Sequence, residues 1–314
     1  MKVLVTGGAG FIGSHLVERL LREGLEVRVF DNFSTGRQEN LAEVANQVEI
    51  IKGDICDYSA VHKALRGVEL VFHQAALCSV ERSVKEPQVT NDVNIGGTVN
   101  LLLAAREEGV RRVVYASSSS VYGDTPELPK QETQTPTPAS PYAVTKLTGE
   151  LYCSIFYQLF GLETFSLRYF NVFGPRQVAD SPYATVIPKF ISALLRGEPP
   201  IVNGDGQQSR DFSYIDNVVE ANLLAMKAYS GFGEVFNIAC GQRTTVVQLA
   251  GYLMELVGET IQPIYDKPRP GDVRHSLADI TKAETLLGYR PTKDLLAGLE
   301  HTLEWYNNHG GSVL

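Results

Sequence analysis

An apolar run, Lys2–Thr6, passes directly into TGGAGFIGSHL, and few folds accept that junction. Gly8, Gly10 and Gly13 satisfy G-x-G-x-x-G, and Gly7, Gly10 and Gly13 satisfy the wider G-x-x-G-x-x-G. A glycine pattern alone is a weak signal. Between a buried strand and an amphipathic helix it has a physical reason. The glycines permit a tight turn and close backbone approach, and a pyrophosphate can rest on the N–H groups and positive dipole of the helix start. Asp31 ends the next apolar run, where a carboxylate can accept both hydroxyls of an adenosine ribose. An acid there repels a ribose 2′-phosphate, so NAD is expected rather than NADP. Arg37 nearby is of the type that accommodates that phosphate.

Val- and Ile-rich runs at Lys2–Thr6, Glu26–Asp31, Val48–Asp54, Glu69–Ala75 and Arg112–Ser117 are apolar on both faces, as strands of a parallel sheet are. Helical patterns fall at about Phe11–Glu23, Asn91–Glu108 and Pro141–Phe160. The alternation predicts an α/β fold, a Rossmann-type doubly wound parallel sheet of right-handed βαβ units. From Asn171 the pattern loosens, with Pro and Gly clustered in FGPRQVADSPYA and RGEPPIVNGDGQQ. Residues 1–170 are expected to form the dinucleotide domain, with a return segment at about 215–240 that includes a buried strand at Glu234–Cys240. Residues 171–214 and 241–314 are expected to form a smaller substrate-binding lobe.

Composition removes other classes. A net charge of −8 argues against a nucleic-acid or anionic-lipid surface. Cys56, Cys78, Cys153 and Cys240 have no metal-ligand or disulfide-framework spacing, so no metal is expected and the thiols are read as reduced, in a cytoplasmic protein. Met1 and Lys2 lead straight into a strand-like run, so no signal peptide is expected. No apolar stretch reaches membrane-spanning length.

The chemistry-bearing residues follow. In SPYAVTK, Pro141 suits the first position of a helix, and Tyr142 and Lys146 then lie one turn apart on one face. A phenol, with a pKa near 10, is a poor base at neutral pH. A neighbouring ammonium and a cationic nicotinamide both stabilise the phenolate. A serine from YASSSSVYGD, at the C-terminal end of a strand, is placed to hold a substrate oxygen.

At these residues the chain resembles the extended short-chain dehydrogenases, the NAD-dependent epimerase/dehydratase family. The likeness runs through TGGAGFIGSHL, DNFSTG, GDI, HQAA, SSSSVYGD, PYAVTK, RYFNVFGPRQ, NGDGQQSRDFSYIDN and RPGDVRHSLADITKAETLLGY. It is greatest toward UDP-N-acetylglucosamine 4-epimerases, then UDP-galactose 4-epimerases. The resemblance implies that Phe11 and Ile12 lie on the NAD pyrophosphate, that Asp31, Asn32, Ser34 and Gly36 serve the adenosine ribose, and that Asp54 and Ile55 flank the adenine. It implies a dinucleotide channel lined by Gln74, Ala75, Ala76 and Asn94, with Phe170 at the nicotinamide. Ser118 matches the catalytic serine or threonine, Tyr142 the base and Lys146 its partner. Ser119, Asn171, Val186, Asn203 and Ser276 fall at substrate positions, and Arg210 and Arg269 match two arginines that grip the UDP diphosphate. Cys78 stands where one subgroup carries Lys and the other a small residue; it is read as a buried small hydrophobe.

Family members that dehydrate or decarboxylate place an acid just after the catalytic serine. Here Ser119 and Ser120 follow it, which leaves no proton donor for a departing hydroxyl. Epimerisation at C4 through a 4-keto sugar remains. The small Ser276 aligns with a large tyrosine in epimerases restricted to non-acetylated sugars, so UDP-GlcNAc and UDP-GalNAc are expected, with UDP-Glc and UDP-Gal also accepted. Arg274 keeps a uronic acid open as substrate. A net nucleotide-sugar reductase and a non-catalytic NAD-binding protein are the competing classes. A homodimer is expected through the helices Asn91–Glu108 and Pro141–Phe160, with the NLLLAA run presenting apolar surface on more than one face.

Overall fold

The computed structural model describes residues 1–178, 184–267 and 273–313, with side chains to residue 309. Seven parallel strands form the central sheet. They are β1 (Lys2–Thr6), β2 (Glu26–Asp31), β3 (Glu49–Lys52), β4 (Leu70–His73), β5 (Arg112–Ser118), β6 (Glu163–Tyr169) and a return strand, Glu234–Ile238. Their spatial order is return strand, β6, β5, β4, β1, β2, β3. The chain works outward from β1 to β3, then crosses back to β4 and continues the other way. The crevice above the C-terminal ends of β1 and β4 is therefore the switch point where such sheets bind ligands.

The register explains the apolar runs. Val5 sits between Val29 and Phe72, and Val3, Leu4 and Val5 are wholly buried. Each such side chain contributes about 1.5–3 kcal/mol by leaving water. β3 is the exception. It is an edge strand, its residues are largely exposed, and Ile50 keeps 41% of its surface; it is shorter than the run Val48–Asp54 and is not buried on both faces.

Two elements depart from the sequence reading. Glu163–Tyr169 is a central strand, paired to β5 through seven residues and to the return strand, where no strand was expected. The pattern Asn91–Glu108 is not one α-helix. It comprises Pro87–Asn91, a wider π-helical turn at Asp92–Gly96, and Gly97–Glu107. The NLLLAA run also differs: Leu101, Leu102, Ala104 and Ala105 are buried against the chain's own sheet. The exposed apolar face lies instead on Pro141–Phe160, where Val144, Leu151, Tyr152, Ile155 and Leu159 recur at helical spacing.

Beyond Asn171 the helices Val186–Leu195, Val246–Val257 and Leu295–Val313 pack on one another. Phe190, Leu249 and Leu299 join the apolar core that continues from the sheet face bearing Val3, Val5 and Phe165. The helix Ile215–Lys227 leads into the return strand. No helix among the described residues is long and apolar enough to cross a membrane.

Candidate active site

The helix after β1, Phe11–Arg22, begins at Gly10 with no side-chain cap and no acidic residue in its first turn. Its free N–H groups suit an anion. The approach is glycine-dependent. A Cβ on Gly13 would lie 2.1 Å from the Gly7 carbonyl oxygen. Gly7 has a φ of 66°, and a Cβ there would lie 2.7 Å from the Ala75 nitrogen. Only glycine lets this turn close against the β4 loop.

Asp31, at the end of β2, is buried. One carboxylate oxygen accepts from the Ala9 N–H at 2.9 Å and the other from the Phe33 N–H at 2.8 Å. Each oxygen retains a lone pair for a ribose hydroxyl. Asn32 donates to the Asp54 carboxylate at 2.9 Å, and Cys56 N–H donates to its other oxygen. The cradle, the uncapped helix and the acid at β2 together fit a dinucleotide.

These residues open into a cleft of ≈ 1170 Å³. Its wall carries Gly7, Gly10, Phe11, Ile12, Gly13, Asp31, Asn32, Ser34, Gly36 and Ile55, then Gln74, Ala75, Ala76 and Phe170, and at the far end Ser118, Ser119, Tyr142, Lys146, Asn171, Arg210 and Ser276. Four expected residues are not part of that wall. Asp54 is turned to Asn32 and Cys56, as above. Asn94, in the π-helical turn, accepts from Leu77 N–H and donates to the Leu77 carbonyl and to Thr145 Oγ1. It ties the β4 loop to the helix of Tyr142. Val186 packs on the core at its helix start, and the Asn203 carbonyl receives Gln208 Nε2 at a strand end. Arg269 lies outside the described residues.

Tyr142 and Lys146 lie in the first turns of the helix Pro141–Phe160, which Ser140 caps by accepting from Ala143 N–H. Lys146 Nζ donates to the Ala116 carbonyl of β5 at 2.7 Å and lies 5.1 Å from the Tyr115 ring centre. β5 is anchored from behind. Ser117 Oγ donates to Glu150 at 2.5 Å, and Glu150 takes two bonds from Arg168 of β6, at 2.8 and 2.7 Å. Since side chains alternate along a strand, that anchor turns Ser118 into the cleft. Burial pushes the Tyr142 phenol up, Cys78 beside it adds to this, and a hydrogen bond with Ser118 opposes it. Burial pulls the Lys146 ammonium down, against Cys78, Cys153 and Glu150. Both shifts disfavour the charged forms.

At the far end of the cleft, Asn171 Nδ2 donates to Ser276 Oγ at 3.0 Å and to the Asp211 carbonyl at 2.9 Å. Asp211 is buried and takes the backbone N–H groups of Cys240, Gly241 and Ala278. Burial pushes its carboxyl up to about 6. Arg274 does not reach this end. It forms an exposed ion pair with Asp205 at 3.1 Å and is absent from the wall. Cys78 is exposed on the cleft wall rather than buried, because its loop leaves the sheet at the switch point. The four cysteines are all free thiols.

Tyr169, Arg176, Gln177 and His275 also line the cleft and were not singled out from sequence. Arg176, Gln177 and His275 sit inside recognised motifs, FGPRQ and VRHS, which was the available signal. Tyr169 lies in the recognised motif RYFNVFGPRQ too, at the end of β6; its hydroxyl meets Gln74 and the buried Asn222.

A glycine cradle for a dinucleotide that shares one cleft with Ser118, Tyr142 and Lys146 defines a dinucleotide-dependent enzyme of the short-chain dehydrogenase type. The chain belongs to the NAD dependent epimerase/dehydratase family, whose model matches residues 3–239. It is 42% identical to the UDP-N-acetylglucosamine 4-epimerase of Methanobrevibacter ruminantium M1, solved in complex with UDP-N-acetylmuramic acid, with a TM-score of 0.94 over 98% of both chains. It is 41% identical over 317 residues to the UDP-glucose 4-epimerase of Mycolicibacterium smegmatis, spanning 98% of this chain and 99% of that one. The UDP-glucose 4-epimerase of Thermus thermophilus, solved with NAD, is 38% identical with a TM-score of 0.89, over 98% of this chain and 99% of that one. The cofactor of this enzyme is NAD.

Proposed function

We propose that this enzyme is a UDP-hexose 4-epimerase that interconverts UDP-GlcNAc and UDP-GalNAc, and also accepts UDP-Glc and UDP-Gal. The observation that carries the reading is the cleft end where Ser118, Tyr142 and Lys146 meet Ser276 and Arg210, with only the hydroxyls of Ser119 and Ser120 following Ser118. Elimination of water or carbon dioxide has no acid to drive it there.

NAD, when bound, supplies a reversible acceptor for the hydride at sugar C4. Tyr142, held as phenolate, takes the proton of the 4-hydroxyl and later returns it. Lys146 stabilises that phenolate, and Ser118 holds the sugar oxygen. Arg210 and Arg269 fix the diphosphate by charge-assisted bonds, which leaves the 4-keto sugar free to turn. Ser276, small and tied to Asn171, leaves room for a 2-acetamido group. Asn32, Ser34, Gly36 and Ile55 serve the adenosine end. The Arg274–Asp205 pair removes the cation that a uronic acid would use, which disfavours UDP-glucuronate as substrate.

The exposed stripe on Pro141–Phe160 supports a homodimer, since it joins five apolar side chains on one face. We read residues 171–214 and 241–314 as the UDP-sugar lobe, and the four free thiols as those of a cytoplasmic protein.

The test is incubation of purified protein with UDP-GlcNAc, UDP-Glc and UDP-GlcA in turn, with C4 epimers resolved by chromatography. UDP-GalNAc is the expected main product. Turnover of UDP-GlcA alone would move the substrate; net NADH consumption with a reduced sugar would replace the reading by a reductase.

A further inference from the structure

Asp211 lies outside the seven-stranded sheet, between two very short pairings. Ser209–Arg210 meets Thr244–Thr245, and Ser213–Tyr214 meets Val172–Phe173. Two residues a side supply few ladder bonds, so other contacts must fix these segments.

Asp211 supplies them from several sides. It is wholly buried. One carboxylate oxygen accepts the Cys240 N–H at 3.0 Å, and the other accepts the N–H groups of Gly241 and Ala278, each at 3.1 Å. Its own N–H donates to Ser276 Oγ at 3.3 Å, and its carbonyl accepts from Asn171 Nδ2. Asn171 has a φ of 34°, a left-handed conformation that a residue other than glycine keeps only where its surroundings impose it. Arg210, the preceding residue, donates to the carbonyls of Ser209 and Arg274. Three residues of the cleft wall, Asn171, Arg210 and Ser276, are thus joined directly to Asp211, two by hydrogen bonds and Arg210 by the peptide bond.

Burial pushes the Asp211 carboxyl up to about 6, against the pull of the N–H groups. The unfolded chain's carboxyl titrates near 3.9. Ionisation of Asp211 therefore costs the fold stability above about pH 6, and the cost vanishes as pH falls toward 4. At neutral pH the carboxylate weakens the fold by its charge while its oxygens fix the geometry of three segments. The titratable groups facing it are the Cys240 thiol, pushed up to about 12, and the Tyr289 phenol, also pushed up; both are neutral where Asp211 titrates.

We propose that Asp211 is a positioning residue for the UDP-sugar end of the cleft, its carboxylate clamping the segments that carry Arg210, Asn171 and Ser276 in the arrangement that receives the substrate. The assignment rests on that end of the cleft being the UDP-sugar site. A protonated carboxyl turns an O–H on converging N–H donors, so protonation loosens the clamp.

Equilibrium binding of UDP-GlcNAc to wild type and D211N across pH, with the NAD content and kcat of each, tests it. D211N keeps the size of the side chain but points an amide NH₂ at backbone donors. It is expected to bind UDP-GlcNAc about 10- to 100-fold more weakly, the scale of a misplaced binding group, with NAD content and kcat little changed. Wild-type affinity is expected to fall as pH drops through about 6, while the low affinity of D211N stays flat; the substrate's diphosphate does not titrate there. His275, also on the wall, acts with the opposite sign, since its protonation adds a cation beside an anionic substrate. Burial, with Arg243, Arg274 and Arg210, holds it below the usual histidine range. Wild-type affinity in D211N, an equal loss of NAD and UDP-GlcNAc, or wild-type binding that does not weaken below about pH 6 would each overturn the assignment. Should D211N not fold, the wild-type pH series decides alone. A wild type that retains NAD yet binds no UDP-sugar at any pH would instead sink the UDP-sugar site itself.

Discussion

Lys146 Nζ lies 6.0 Å from the centre of the Tyr142 ring, one turn further along the same helix. Both side chains are buried to within a tenth of their surface, so neither charged form is favoured by solvent. The ammonium, fixed on the Ala116 carbonyl, is proposed to hold the phenolate. Y142F is expected to lower kcat by about 10²- to 10⁴-fold, the range of a lost general base, with KM for the UDP-sugar little changed. K146M is expected to do the same and to shift the alkaline-rising limb of the kcat profile upward. Steady-state kinetics across pH check both; a Y142F variant with wild-type kcat removes the tyrosine from the chemistry.

Gly13 faces the Gly7 carbonyl so closely that a methyl group cannot enter without moving backbone. G13A is expected to purify without NAD and to lose activity. Absorbance of the purified protein and the cofactor content after acid release measure this. A variant that retains a full complement of NAD would show that the cradle is not the phosphate site.

Much of this was legible in the sequence because each feature is local. The glycine turn, Asp31 at a strand end, and the four-residue spacing of Tyr142 and Lys146 are set by backbone geometry over a few residues. What stayed hidden depends on distant partners. β6 carries Arg168 near its C-terminal end, which reads as polar until Glu150, eighteen positions away, is seen to neutralise it. The NLLLAA run is equally apolar whether it covers a sheet or a second subunit, and periodicity alone does not separate those fates. Arg274 and Ser276 lie two residues apart, yet one pairs with Asp205 and the other lines the cleft; their partners come from elsewhere in the chain.

His73 gives a pH-dependent stability. It is buried at the end of β4 between Thr6 Oγ1, at 2.8 Å, and Thr98 Oγ1, at 3.0 Å. Burial, with Lys146 nearby, lowers its pKa to about 3. The unfolded chain therefore binds a proton below about 6.5 that the folded chain refuses. The stability His73 contributes is full above that pH and is lost as pH falls toward 3. Between pH 7 and pH 5 wild type should lose about 2 kcal/mol more than H73Q. Denaturant unfolding of both proteins at the two pH values checks it; parallel pH dependences would contradict a neutral, buried His73.

Ser276 is proposed to set the breadth of the substrate. S276Y is expected to lower kcat/KM for UDP-GlcNAc at least about 10-fold relative to UDP-Glc, since steric exclusion acts on the larger group. It also removes the Asn171 contact, so the ratio between the two substrates, rather than either rate, is the quantity to measure. An unchanged ratio would place the acetamido group elsewhere.

The central claim is a 4-epimerisation in which the hydrogen at C4 leaves and returns without meeting solvent. Incubation of the protein with UDP-GlcNAc in D₂O, with no NAD added, tests it directly by NMR of the products. The account predicts UDP-GalNAc carrying protium at C4 and no solvent deuterium on the ring. Deuterium at C4, or no epimer from any UDP-hexose, would contradict it.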